Sequence, residues 1–349
     1  MEAVFNARLV TQTLAKRRNL VFLGLGLLTL ALMVTNLVVG SLPYPIERIF
    51  YTLLHPQESG DLATIVWKIR VPRTLAAALG GAYLAASGLL LQVYFRNPIV
   101  GPYILGISSG ATLLVSIIML TPFGFRLTHA TPFVTTIAGC LGAYAVMALV
   151  VAIAAKVQRG ATLLILGLMM GYLCSSVTSV LTALAEKEKI KGFVLWGMGS
   201  FSGFKQVEIG ILIVFGGGLL IAVYLLSKPL NAFLLGEDYA ASLGVNIRRF
   251  RIFILMAASA LAGLVTSMAG PVAFIGLAVP HMARLSFGTS DNRILIPGVC
   301  LTGAAVTSLC DLIARMWLNP VELPISAITA FFGAPIVIGL LLKRGARFS

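Results

Sequence analysis

The sequence predicts an all-α protein threaded repeatedly through a membrane, and three observations predict it. Apolar residues fill 58% of the 349 positions and charged residues only 11%, where a soluble domain carries about a quarter charged. The mean hydropathy is +0.98. The apolar residues also gather into runs near the roughly 20 residues that cross about 30 Å of hydrocarbon.

Taken in order, residues 1–19 read as a cytoplasmic N-terminal segment holding Arg8, Lys16, Arg17 and Arg18. The apolar run from Leu20 to Gly40 exceeds the roughly 7–15 residues of a signal-peptide core, so it is expected to stay as an uncleaved first span. Further spans are expected near 74–94, 103–120, 133–155, 161–184, 208–227, 251–269, 272–285, 294–314 and 324–342. The run 272–285 is short and framed by Pro271 and Pro280, which predicts a half-span packed against protein. Ten spans form one membrane domain over 20–345, interrupted by a long hydrophilic excursion at 228–250. Both termini then share a side, and placing them in the cytoplasm puts 16 Lys and Arg residues inside against 10 outside, as cationic inner loops require.

The formal charge of +14 is explained by those loops. A nucleic-acid partner is excluded, because no stretch interleaves clustered cations with aromatics on a solvated face. Cys140, Cys174, Cys300 and Cys310 lie inside apolar runs with no C-x-x-C spacing, which excludes a zinc site or a disulfide framework and leaves them as small core residues. Small residues crowd Gly80 to Gly88 and Ala257 to Gly263, the composition that lets helices approach closely in lipid. A faint echo between Gly88 to Gly106 and Gly263 to Gly276 suggests inverted repeats.

The chain lacks G-x-x-x-x-G-K-[ST] and H-E-x-x-H, so it is not expected to be an enzyme, and any energy source is a separate subunit. A proton- or sodium-coupled carrier would mark its path with intramembrane carboxylates. Asp311 is the one candidate, and its position one turn before Arg315 favours a local ion pair. The excursion SKPLNAFLLGEDYAASLGVNIRRFR, from Ser227 to Arg251, carries Phe233, Leu234, Leu235, Tyr239 and Leu243 together. That apolar edge suits docking onto a cytoplasmic partner better than a solvated loop.

Four segments carry a resemblance: IRVPRTLAAALGGAYLAASGLLLQVYFRNPIVGPYILGISSGA (Ile69 to Ala111), LGEDYAASLGV (Leu235 to Val245), GPVAFIGLAVPHMARL (Gly270 to Leu285), and DLIAR with ELPISAITAFFGAPIVIGLLLK (Asp311 to Lys343). Together, over residues 15–345, they resemble the permease subunits of ABC importers for iron-siderophores, haem and cobalamin. The resemblance implies ten helices per subunit, a second permease subunit (a homodimer is expected), two cytoplasmic ATPases, a substrate-binding protein outside, and a multi-pass location in the inner membrane. It implies no covalently bound cofactor and no metal site, with ATP used by the partner. The implied cargo is a metal chelate; the alternative class is an ion-gradient-driven secondary transporter or channel without ATPases.

By the same resemblance Arg70, Arg73 and Arg315 match outer-rim arginines that pair with carboxylates of the binding protein. Interfacial anchoring is the alternative for Arg70 and Arg73, and pairing with Asp311 the alternative for Arg315. Gly236, Glu237, Ala240, Leu243 and Gly244 match the helices that sit in a cleft of the ATPase, where rigid-body motion is handed to the membrane domain. The loop from Lys156 to Thr162, including Gly160, resembles the cytoplasmic gate. The fifth span carries Met169, Tyr172, Ser176 and Ser179, which two-fold symmetry would present to an axial path; hydroxyls bonding their own helix are the alternative. His281 is expected to be satisfied by a helix end or a loop carbonyl, with a haem ligand the rival, and His55 and His129 to be loop residues.

Overall fold

A computed structural model of the chain describes residues 2–40, 42–57, 59–122, 133–154 and 160–345. Each of the ten expected spans is a helix. In chain order the helices are α1 (Glu2–Val38), α2 (Ile46–Leu54), α3 (Asp61–Phe95), α4 (Ile107–Leu120), α5 (Val134–Ala154), α6 (Gly160–Leu184) and α7 (Lys187–Gly197). There follow α8 (Gln206–Leu225), α9 (Ser227–Leu235), α10 (Glu237–Ser242), α11 (Ile247–Ala269), α12 (Ile275–Phe287), α13 (Asn292–Met316) and α14 (Ile325–Gly345). Seven helices among the described residues are long and apolar enough to cross a bilayer, and α4 and α14 are shorter apolar helices. The fold is that of an all-α, polytopic membrane protein.

Burial separates the centre from the periphery. The most apolar window of α3 is 89% buried inside the protein, while that of α1 is 11% buried, so α3 is the spine and α1 an outer helix. α11 and α13 run antiparallel to α3 on two sides, and their small residues set the spacing. A side chain on Gly81 would overlap Gly303 and Thr307, and one on Gly88 would overlap the backbone of Gly276. Where burial alone does not draw helices together in lipid, such backbone contact does.

The half-span expected at 272–285 is α12. Gly270 and Phe274 have positive φ (74° and 63°), which turns the chain sharply out of α11, and Pro280 lies within the short helix. Its partner in the sequence echo is the turn after α3, where Arg96 and Gly106 also have positive φ. The two turns meet, for Gly276 packs against Leu84 and Pro102. One widened turn, Leu212–Gly216 in α8, has a visible cause: the Leu212 carbonyl accepts the Tyr83 hydroxyl at 2.7 Å, and Gly216 leaves room for that ring. Helices α2 and α7 were not anticipated by the hydropathy reading; both are too short to register as spans.

Candidate functional site

Two polar constellations cap opposite ends of the bundle. The first forms where α1 and α13 finish beside the widened turn Val66–Arg70 of α3. Arg70 is buried, and its Nη1 donates to the Leu37 and Val38 carbonyls at 2.8 Å while Nη2 donates to Leu42 at 2.7 Å. It caps the last carbonyls of α1, where a cation also suits the helix dipole. Arg73 grips Asp311 through Nε (3.0 and 3.1 Å) and Nη2 (2.8 Å), and the same Nη2 reaches Glu322. Ser200 donates its hydroxyl to Glu322 at 3.1 Å, bringing in the loop after α7. Arg315 turns the other way and donates to the Asn36 carbonyl (2.7 Å) and Oδ1 (2.9 Å); Asn36 itself donates to Leu32 and Ser308.

Two expectations are corrected here. Asp311 pairs across helices with Arg73, not with Arg315 one turn away, because Arg315 is drawn to Asn36 on α1. Arg70 and Arg73 do not stand free at a rim: both side chains are buried and engaged, since the ends of α1 and α13 converge on them at the widened turn Val66–Arg70 of α3. Arg315 is partly buried. Exposed cations at this end include Arg48 on α2, Lys68 on α3, Lys187 and Lys191 on α7, and Lys205 just before α8; bonds from Trp67 to Thr52 and from Gln206 to Trp67 hold α2, α3 and the start of α8 close.

The second constellation is a shelf made by α9 and α10 at the far end of α3. Gly236, at φ 141°, breaks the chain between them, and Gly244, at φ 83°, lies just beyond α10. Both backbone conformations favour glycine. Ala240 is fully buried under the shelf, while Leu235, Tyr239 and Leu243 are exposed, Leu235 to 71%. Arg251 at the start of α11 holds Glu237 at 3.1 Å from both carboxylate oxygens and lies 5.9 Å over the Tyr94 ring. Tyr94 stacks on buried Phe233 at 5.9 Å between centroids. The five residues singled out in the sequence therefore differ in place. Ala240 is internal, the two glycines shape the turns, Glu237 is bolted to α11, and Leu243 is presented outward.

Along α6, Met169, Tyr172, Ser176 and Ser179 are exposed on one face. Ser176 donates to the Tyr172 carbonyl and Ser179 to that of Ser175, each at 2.9 Å. Such self-bonded hydroxyls need no outside partner, so the face tolerates either water or packed protein. Gly160 opens α6 and Thr162 is half-buried; Lys156 to Arg159 lie outside the described residues, as does His129. His55 follows α2 as an exposed residue stacked on Tyr51. His281 is half-buried on α12. No cluster of three or more His, Cys, Asp or Glu capable of holding a metal exists among the described residues, and the four cysteines are free thiols.

Glu322, Ser200 and Asn36 were not identified from sequence. Only Asn36 carried a signal, a lone amide inside an apolar run, where polar side chains commonly bridge helices.

Known proteins resemble this chain. The hemin transport system permease protein of Yersinia pestis is 33% identical over 331 residues, covering 92% of this chain and 96% of that protein. The vitamin B12 import system permease protein of Salmonella typhi is 35% identical over 278 residues, covering 80% and 83%. A solved structure described as an inward-facing metal-chelate type ABC transporter superposes with a TM-score of 0.80 at 29% identity, over 93% of this chain and 98% of that one. Among the described residues, a bundle of apolar helices around the buried spine α3, with a half-span at α12 and a two-helix shelf, thus accompanies a match of residues 28–343 to the FecCD transport family, and the chain belongs to that family.

Proposed function

We propose that the chain is the membrane permease subunit of an ATP-driven importer that moves a metal chelate, an iron-siderophore, haem or cobalamin, into the cytoplasm. Both termini and the α9–α10 shelf face the cytoplasm in this reading. The observation that carries it is the shelf. A chain with no nucleotide-binding motif presents Leu235, Tyr239 and Leu243 to solvent while Glu237 and Phe233 bind the shelf to α11 and to the spine. Exposed apolar residues on a rigid base mark a docking face, here for two ATPase subunits whose closure drives the permease. A second permease subunit covers the exposed face of α6, so that Met169, Tyr172, Ser176 and Ser179 line a passive path on the two-fold axis, with Thr162 near its cytoplasmic gate.

A substrate-binding protein docks at the opposite end. Arg70 and Arg73 serve there by holding the rim together, while Arg315 and the exposed Arg48, Lys68 and Lys205 supply the positive field that steers an acidic partner. Ion-coupled transport is disfavoured by Asp311, the intramembrane carboxylate it would use, because that group is locked on Arg73.

Reconstitution tests the proposal. The permease, its ATPase and its binding protein in proteoliposomes should take up labelled haemin, cobalamin or a ferric siderophore only with ATP, and mass spectrometry of the binding protein's ligand should name the cargo. Uphill uptake by vesicles holding this chain alone, driven by a proton or sodium gradient, would overturn it.

A further inference from the structure

Near the base of the shelf lies a small polar cavity of about 280 Å3 between the C-terminal end of α3, α9, α12 and the start of α13. Arg96, His281 and Arg284 line it together with Gln92 and Asn292, and none of the described lining residues is acidic. Its size falls just below the roughly 300 Å3 at which pockets begin to hold drug-sized molecules, which suits a small charged group.

The cations are positioned by the fold. Arg284 Nη1 donates to the Gln92 Oε1 at 2.7 Å, and buried Gln92 is fixed in turn by donating to the Leu277 carbonyl at 3.1 Å. Arg96 ends α3 in the left-handed region at φ 47°, ψ 32°, a position that ordinarily goes to Gly or Asn. Its guanidinium lies 5.9 Å over the Phe233 ring of α9. The nearest acid along the chain, Asp291, is occupied as the cap of α13 by the Arg293 amide (2.9 Å) and by Asn231 (2.6 Å). Cations at helix C-termini are favourable in any protein. That alone explains neither the left-handed conformation accepted at Arg96 nor the convergence of two helix ends around a polar hole.

We propose that this cavity binds a phosphate-class anion, either the headgroup phosphate of an anionic phospholipid or free inorganic phosphate. Guanidinium groups match phosphate oxygens in geometry and charge, and basic pockets between membrane helices near a bilayer surface take anionic headgroups. A phosphate held between Arg96 and Arg284 ties α3 to α12 directly beneath α9, so occupancy stiffens the base on which the shelf rests.

The test uses the full-length chain, stripped of lipid in mild detergent. Native mass spectrometry compares retention of phosphatidylglycerol with that of phosphatidylcholine, and thermal unfolding compares inorganic phosphate with chloride at equal ionic strength. The wild type should retain phosphatidylglycerol about tenfold better, or else gain thermal stability from phosphate, which identifies a free anion as the source. Arg96→Asn, which keeps a residue tolerant of the left-handed turn, and Arg284→Gln should each abolish the effect, and Arg293→Gln, exposed outside the cavity, should not. If Arg284→Gln does not fold, Arg96→Asn decides alone. Equal retention of both lipids with no response to phosphate would overturn the proposal, as would an effect surviving in Arg96→Asn or lost equally in Arg293→Gln.

Discussion

Asp311→Ala should be among the most damaging single substitutions in the chain. The Arg73 and Asp311 side chains are 9% and 2% exposed, so neither charge can recover water when its partner is lost. Removing one member of a buried pair costs about 3–5 kcal/mol, mostly the penalty of an uncompensated charge. Glu322 remains on Arg73 and is 38% exposed, which places the expected cost at the lower end, about 3 kcal/mol. At about 1.4 kcal/mol per decade this is more than a hundredfold in the folding equilibrium. Titration of detergent-solubilised protein with dodecyl sulfate, read by tryptophan fluorescence, measures it, with Trp317 next to the cluster as reporter. The paired replacement Arg73→Met with Asp311→Leu removes both charges, leaves Glu322 able to hydrate, and should lie within about 1 kcal/mol of wild type. Wild-type stability in Asp311→Ala would refute this reasoning, and so would equal damage from the apolar pair. If the paired variant folds and imports normally, the two groups serve architecture alone.

Three further outcomes are expected. Gly88→Ala, which drives a methyl group into the Gly276 backbone, should cost about 3 kcal/mol or more in the same titration, whereas Gly218→Ala, with open space around it, should be neutral or stabilising by up to about 1 kcal/mol. Glu237→Arg and Arg251→Glu break a half-exposed pair worth no more than about 1 kcal/mol, so each should fold normally yet lose substrate-stimulated ATP hydrolysis in the assembled transporter, and the charge-swapped double variant should recover part of it. Burial pulls the Asp291 carboxyl upward, but the Arg293 amide, the Asn231 side chain and the Arg293 and Arg18 charges outweigh it and hold the group below the usual carboxylate range. Its contribution is therefore present above the ordinary carboxylate pKa and lost as pH falls through the lowered value, and Asp291→Asn should flatten that acid limb in a pH series of thermal unfolding.

Spans were legible because lipid imposes one rule on every residue that faces it, and a run such as Leu20 to Gly40 needs no tertiary knowledge to be read. The half-span at α12 was legible for the same reason, since Pro271 and Pro280 bound a run too short to cross. The shelf was legible through its contradiction, an apolar edge inside a hydrophilic excursion. Charge partners were not legible in this way. Asp311 and Arg315 are one turn apart, and local spacing favours their pairing, yet Arg73 lies 238 positions away in sequence and is closer in space. The hydropathy of α3 predicts a helix, but only its contacts show that it is the spine, so Arg70 and Arg73 looked like residues of a rim when they are residues of a junction.

The placement of that junction bears on how the two ends communicate. Arg73, just after the widened turn Val66–Arg70 of α3, and Tyr94, at its C-terminal end, are fastened to different neighbours of this most buried helix: Asp311 of α13 and Arg251 of α11. Between them the contacts are backbone to backbone at Gly81 and Gly88, which leaves little compliance for side chains to absorb. A helix clamped at two places and closely packed between them moves as a rod. Motion imposed on α10 by the proposed partner would therefore reach the far end through α11 and α3 as rotation or translation of whole helices, and a substitution that loosens Gly88 should uncouple the two ends even where both proposed docking faces are intact.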